Sequence, residues 1–178
     1  MTGFTLSPRL AADSVFIVDW PLCQLRLMDD LRFPWLILVP RRDGLEEWME
    51  LEPHEAHQLS DEIARAGQGL AQMFKPTKIN VGALGNIVRQ MHVHVIARFE
   101  TDAAWPGPVW GQGTRLPYDG ARREQLRGEL LTRLGESLNG WIWAALGLTA
   151  AGLFLVGPKH EAELEPPAAL AMQEAPQT

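Results

Sequence analysis

The chain has 178 residues, 46% of them hydrophobic, enough for one well-filled core and too few for a second full domain. A formal charge of −6 argues against broad electrostatic binding to nucleic acid, whose phosphates call for a basic surface, and leaves room only for a small local anion site. The one cysteine, Cys23, excludes an intrachain disulfide and, set among apolar residues, reads as a buried structural thiol.

Met1–Arg9 is polar and short, so no signal peptide is expected. Ser14–Asp19, Leu22–Met28 and Trp35–Val39 read as three short strands, separated by the turn-forming pairs Trp20-Pro21 and Phe33-Pro34, and predict a meander. From Pro53 to Phe74 apolar residues recur at Leu59, Ile63, Ala66, Leu70 and Met73, the spacing of one amphipathic helix, with Pro53 suited to its first turn. Lys78–Leu84 and Met91–Phe99 predict a hairpin across the short connection Gly85–Gln90. The segment TDAAWPGPVWGQG, residues 101–113, is too rich in proline and glycine for regular structure, yet its Trp105 and Trp110 suit it to packing over something. A second helix is expected from about Gly120 to Leu138, with Leu126, Leu130, Leu134 and Leu138 on one stripe and Asp119 as its cap. These elements make an α+β fold with an antiparallel sheet.

Within the last strand the run QMHVHVIARF, residues 90–99, carries two histidines one residue apart. Side chains alternate across a strand, so Gln90, His92 and His94 line one face at intervals of roughly 7 Å, and Met91, Val93 and Val95 face a core. Three readings of the polar row stay open on spacing alone. The histidines are satisfied by neighbouring carbonyls in a half-buried strand; or they hold a metal ion, for which a third ligand would be needed and none is singled out among Asp29, Asp30, Glu100 and Asp102; or one imidazole is a nucleophile and its neighbours contact the substrate. His54 and His57 fall on the predicted helix and His160 in the tail.

The histidine strand, the strand and short loop before it, and the upstream LILVPRR segment (residues 36–42) followed by a long helix resemble the histidine triad (HIT) superfamily of nucleotide hydrolases and transferases. The likeness covers roughly residues 4–110. The superfamily's signature is three histidines alternating with apolar residues, and in this chain glutamine takes the first place: Gln90, His92, His94. The chain is most similar to bacterial HIT proteins related to diadenosine tetraphosphate hydrolases, in which a glutamine there and an AAWPGPVWG-like segment both occur. The resemblance implies a HIT-like sheet with a long helix, a homodimer, a nucleotide substrate, no cofactor and no metal. It makes His92 the nucleophile that attacks the α-phosphorus and His94 a contact to phosphate oxygens. Gln90 can donate a hydrogen bond but carries no charge, which puts leaving-group protonation by that position in question. Asn86 is placed against the phosphates, Asp29 where relatives hold a ribose, and Asn80 on the adjacent strand; a plain turn role competes for Asn86 and Asp29. Where relatives have a glycine-histidine pair entering the next strand this chain has Pro34-Trp35, leaving an aromatic for the core. Arg98 either steers an anion or closes the strand.

Trp141–Gly157 has no charged residue over 17 positions. As a helix it would span about 26 Å, the lower end of what crosses a bilayer. Tryptophans at its start and the arginines of the preceding helix predict an anchor with the catalytic domain on the cytoplasmic side; a buried or dimer-contact helix is the competing reading. The expected organisation is a HIT-like nucleotide-binding domain over residues 1–115, an amphipathic helix over 116–140, a transmembrane anchor over 141–157 and a disordered tail over 158–178, with no nucleic-acid partner. The alternatives from other classes are a metal-dependent enzyme built on His92 and His94, and a nucleotide-binding regulatory protein whose glutamine has cost it catalysis.

Overall fold

The computed structural model describes residues 3–135. The hydrophobic segment Trp141–Gly157 and the tail after it lie outside the described residues, and among the described residues no helix is long and apolar enough to cross a membrane.

Five strands, β1 (Ser14–Asp19), β2 (Cys23–Met28), β3 (Trp35–Pro40), β4 (Lys78–Gly82) and β5 (Val93–Arg98), form one antiparallel sheet in the order β1-β2-β3-β5-β4. The first three make the expected meander. A long helix, α2 (Pro53–Phe74), then carries the chain over the sheet, so that β4 lies at the far edge and β5 returns between β3 and β4. The histidine strand is therefore interior to the sheet, and every residue from Val93 to Arg98 is buried.

Alternation along the strands divides the core in two. On one face Leu25, Leu27, Leu36, Leu38, Val93 and Val95 meet Leu59, Ala66 and Leu70 of α2 and Leu126, Leu130 and Leu134 of α3 (Gly120–Gly135). The helices are tied down by polar contacts as well. Glu62 of α2, 2% exposed, accepts hydrogen bonds from the backbone N–H groups of Leu22 and Cys23, both at 2.9 Å. The carbonyl of Leu134 accepts from the Trp20 indole at 3.1 Å and from the guanidinium of Arg65. On the opposite face Trp35, Ile37, Val39 and Ile96 are covered by Leu10, Phe33, Ala104 and Val109.

The cover on that second face comes from two segments. One is a helix that the sequence reading did not anticipate, α1 (Pro8–Asp13), six residues long and too short to display a periodic apolar stripe; Pro8 at its first turn is its one local signal. The other is the proline- and glycine-rich stretch after β5. Arg98, 1% exposed, ties that stretch to the sheet. Its guanidinium donates to both carboxylate oxygens of Asp102 at 2.8 and 2.9 Å, to Asn80 Oδ1 at 2.7 Å and to the Gly107 carbonyl at 2.9 Å. This arginine closes the strand.

Strand ends differ from the expected ones by one or two residues: β4 stops at Gly82 instead of Leu84, and β5 begins at Val93, leaving His92 in the segment that enters the strand. α2 starts and stops where expected, with Pro53 in its first turn, a reciprocal capping box between Glu52 and Glu55, and left-handed Lys75 at its C-terminus.

Candidate functional site

His94 occupies the second position of β5, opposite Ile37 of β3 and Gly82 of β4. His92 precedes it by two residues and lies on the same side, with the two rings 4.8 Å apart and nearly perpendicular. Both are 7% exposed. His92 Nδ1 lies 2.7 Å from the carbonyl oxygen of Gln90. A carbonyl only accepts, so Nδ1 carries the proton and donates, and Nε2 keeps a free lone pair. Burial lowers the His92 pKa below its ordinary value, outweighing the opposing effect of the Gln90 carbonyl. The imidazole is thus neutral at neutral pH, with its Nε2 lone pair free.

His94 sits in an aromatic enclosure. Its Nδ1 is 3.0 Å from the indole Nε1 of Trp35, with the two rings 5.2 Å apart, and Trp110 lies edge-on at 5.6 Å. Burial, assisted by the neighbouring His92, pushes its pKa down to about 3. Trp110 reaches this position across Gly82, where a Cβ would come within 2.8 Å of the indole ring. Its own indole N–H is buried with no hydrogen-bond partner among the described residues.

Gln90 is held by the N-terminal segment. Its amide oxygen accepts from the backbone N–H of Ser7 at 2.7 Å and its amide nitrogen donates to the carbonyl of Thr5 at 2.9 Å, a bidentate clamp on the segment leading into α1. Asn80 shares the histidine face of the sheet through its place on β4, and its side-chain oxygen is engaged by Arg98. Asp29, beyond the end of β2, accepts from the backbone N–H of Tyr118 at 3.0 Å and lies 3.8 Å from Arg123. Asn86 is exposed in the loop between β4 and β5. The structure thus brings His92 and His94 together, and engages Gln90, Asn80 and Asp29 with partners inside the protein.

The two residues that sequence reading left out of the site are Trp35 and Trp110. Trp35 pairs with Ile96, two residues beyond His94, which makes it the diagonal neighbour of His94 on the same face. That register was the missing signal. Among the described residues no three His, Cys, Asp or Glu side chains are grouped to hold a metal ion; His54 and His57 are exposed on α2.

Residues 9–101 match the HIT domain family. A histidine triad (HIT) protein from Sinorhizobium meliloti 1021 is 48% identical, over 75% of this chain and 99% of its own, with a TM-score of 0.73. Histidine triad proteins from Marinobacter aquaeolei VT8 and Bradyrhizobium japonicum are 40% and 39% identical, with TM-scores of 0.73 and 0.72; they cover 75% and 74% of this chain and 98% of their own lengths. A zinc-bound histidine triad family protein from Mycobacterium smegmatis, 13% identical with a TM-score of 0.51, shares the fold alone. No curated protein matches the chain. The chain belongs to the histidine triad (HIT) family, with a glutamine in the first place of the triad.

Proposed function

We propose that this protein hydrolyses or transfers a nucleotidyl group from a dinucleoside polyphosphate or related nucleotide conjugate, with His92 as the nucleophile. The observation that supports this most directly is the hydrogen bond from His92 Nδ1 to the Gln90 carbonyl, which leaves Nε2 unprotonated beside a second neutral histidine. The Nε2 lone pair forms a bond to the α-phosphorus as the phosphorus–oxygen bond to the leaving group breaks, its electron pair departing on that oxygen. Water or another acceptor then attacks the nucleotidyl-imidazole, restoring neutral His92 and releasing a proton. Asn86 contacts the phosphates from the loop before β5. Asp29 and Asn80 contact the nucleotide with their remaining polar atoms, their Oδ1 atoms being held by the Tyr118 backbone N–H and by Arg98. His92→Ala is expected to abolish turnover of dinucleoside polyphosphates while nucleotide binding persists, because the covalent step is lost and the enclosure remains. Turnover at the native rate in this variant rules out the nucleophile assignment.

One further reading is favoured by the clamp that Gln90 makes on Thr5 and Ser7, which occupies both its amide oxygen and its amide nitrogen. On that reading the protein binds a nucleotide and turns it over slowly. Single-turnover and steady-state rates against anhydrides, phosphoramidates and nucleotide sugars separate it from the first.

The working unit is a homodimer. β4 lies at the edge of the sheet, and Val81, Leu84 and Ile87 on it and the following loop are 50%, 42% and 88% exposed. Light scattering of the purified protein tests this directly. Trp141–Gly157 anchors the catalytic domain to the cytoplasmic face of a membrane; resistance of the full chain to alkaline carbonate extraction is the expected result, and extraction into the soluble fraction refutes the anchor.

A further inference from the structure

We infer that Trp35 is a positioning residue that fixes the tautomer of His94, so that this histidine meets the substrate as a neutral hydrogen-bond donor through Nε2. The inference rests on the proposed nucleotidyl chemistry for its consequence in catalysis, though not for the tautomer itself.

An indole nitrogen is a donor only and never an acceptor. The 3.0 Å contact between Trp35 Nε1 and His94 Nδ1 therefore requires a lone pair on Nδ1. A neutral imidazole bears one proton, so in His94 that proton stands on Nε2, on the other side of the ring from Trp35. The surroundings keep the ring neutral: it is enclosed by Trp35, Trp110 and His92, and among the described residues no carboxylate is hydrogen-bonded to it.

The two histidines thus take opposite tautomers for opposite tasks. His92 donates through Nδ1 to the Gln90 carbonyl and presents a bare Nε2; His94 accepts through Nδ1 from Trp35 and presents Nε2–H. One nitrogen attacks phosphorus, and the neighbouring N–H is placed for a non-bridging phosphoryl oxygen whose negative charge grows as the bond forms. With His94 in the other tautomer, a lone pair would face that anionic oxygen and repel it. Trp35 works through His94, since its one hydrogen-bonding group, the indole N–H, is engaged by Nδ1. It is held for this duty at the start of β3, buried to 5% exposure and edge-on to Phe33 at 6.4 Å and Trp110 at 6.2 Å.

The test is nitrogen-15 NMR of the histidine side chains in a soluble chain of residues 1–138, if that chain retains the melting transition and turnover of the full protein, and otherwise in the detergent-solubilised full chain. His94 is expected to show Nδ1 as the unprotonated nitrogen and Nε2 as the protonated one, in slow exchange. Trp35→Phe keeps an aromatic ring and removes the donor; it should populate the Nδ1–H form and lower kcat by roughly 10- to 1000-fold while KM changes little. Trp35→His, which returns a ring N–H, should recover part of both. A wild-type His94 protonated on Nδ1 overturns the inference without recourse to any variant, so it stands or falls even if Trp35→Phe fails to fold. An unchanged His94 spectrum and kcat in a folded Trp35→Phe protein overturn it too. A spectrum as expected in a protein without turnover would instead count against the nucleotidyl chemistry and leave the tautomer assignment standing.

Discussion

At the scale of single residues the site is governed by which nitrogen of each imidazole is already occupied. Burial lowers the His92 pKa, so the proposed nucleophile stays unprotonated into mildly acid solution, and the acid limb of the kcat/KM profile is expected below 6.5, the ordinary histidine value. A limb at or above that value would show that His92 is not buried during turnover. The depressed pKa of His94 has a separate consequence for stability. The unfolded chain takes up the His94 proton near 6.5 whereas the folded protein resists protonation until about pH 3, so acid favours unfolding between those values. This contribution is intact above pH 6.5, is lost progressively down to about pH 3, and levels off below it. The slope is at most about 1.4 kcal/mol per pH unit for one group. His94→Gln should therefore lose less stability than the wild type between pH 7 and pH 4, measured by urea unfolding at each pH. Equal losses in the two proteins would place the acid sensitivity elsewhere.

At the scale of elements, β5 does two jobs with opposite ends. Its beginning carries His94, with His92 just before it, and its last residue, Arg98, fastens the following loop through Asp102 and Gly107. That loop carries Trp110 back over Gly82 and His94. Removing Arg98 leaves a carboxylate that is 4% exposed without its cation. Arg98→Ala should cost about 3–5 kcal/mol in chemical denaturation, because the desolvated Asp102 loses its partner. A loss below about 1 kcal/mol would mean that water replaces the guanidinium, as it does for exposed ion pairs. The same loop explains why a stretch without regular structure is ordered here. Its backbone polar groups are met by side chains, with Asp102 accepting from the N–H groups of Phe99 and Ala104 at 3.1 and 3.0 Å.

At the scale of the whole molecule, α3 is built into the same core as α2. Leu126, Leu130 and Leu134 are each at most 3% exposed, and Gly69 of α2 leaves room for Leu134, which a Cβ there would strike. A chain ending near Leu138 keeps this packing and should fold and retain turnover. A chain ending at Arg115 loses three buried leucines and Tyr118, each leucine worth about 2–5 kcal/mol, and should not fold cooperatively. Thermal unfolding followed by circular dichroism distinguishes the two. Equal melting transitions in the two truncations would show that α3 is dispensable.

Much of this molecule follows from short-range pattern. Branched apolar runs with period two gave the five strands, an apolar stripe with a proline start gave α2, and H-x-H in an extended run was enough to set His92 and His94 side by side. Each depends on neighbours within a few residues, and chain stereochemistry dictates it before any tertiary contact forms. Tertiary structure decided what those side chains do. Gln90 shares the histidine face by alternation, but the N-terminal segment lies beside it and engages its amide through Thr5 and Ser7, 85 and 83 residues away. Trp35 reads as one more apolar residue in an apolar strand, and only the register of β3 against β5 sets its indole N–H against His94. A hydrogen-bonding group's role is fixed by the partner that reaches it, and here the partners arrive through strand pairing and loop closure, which local pattern does not encode.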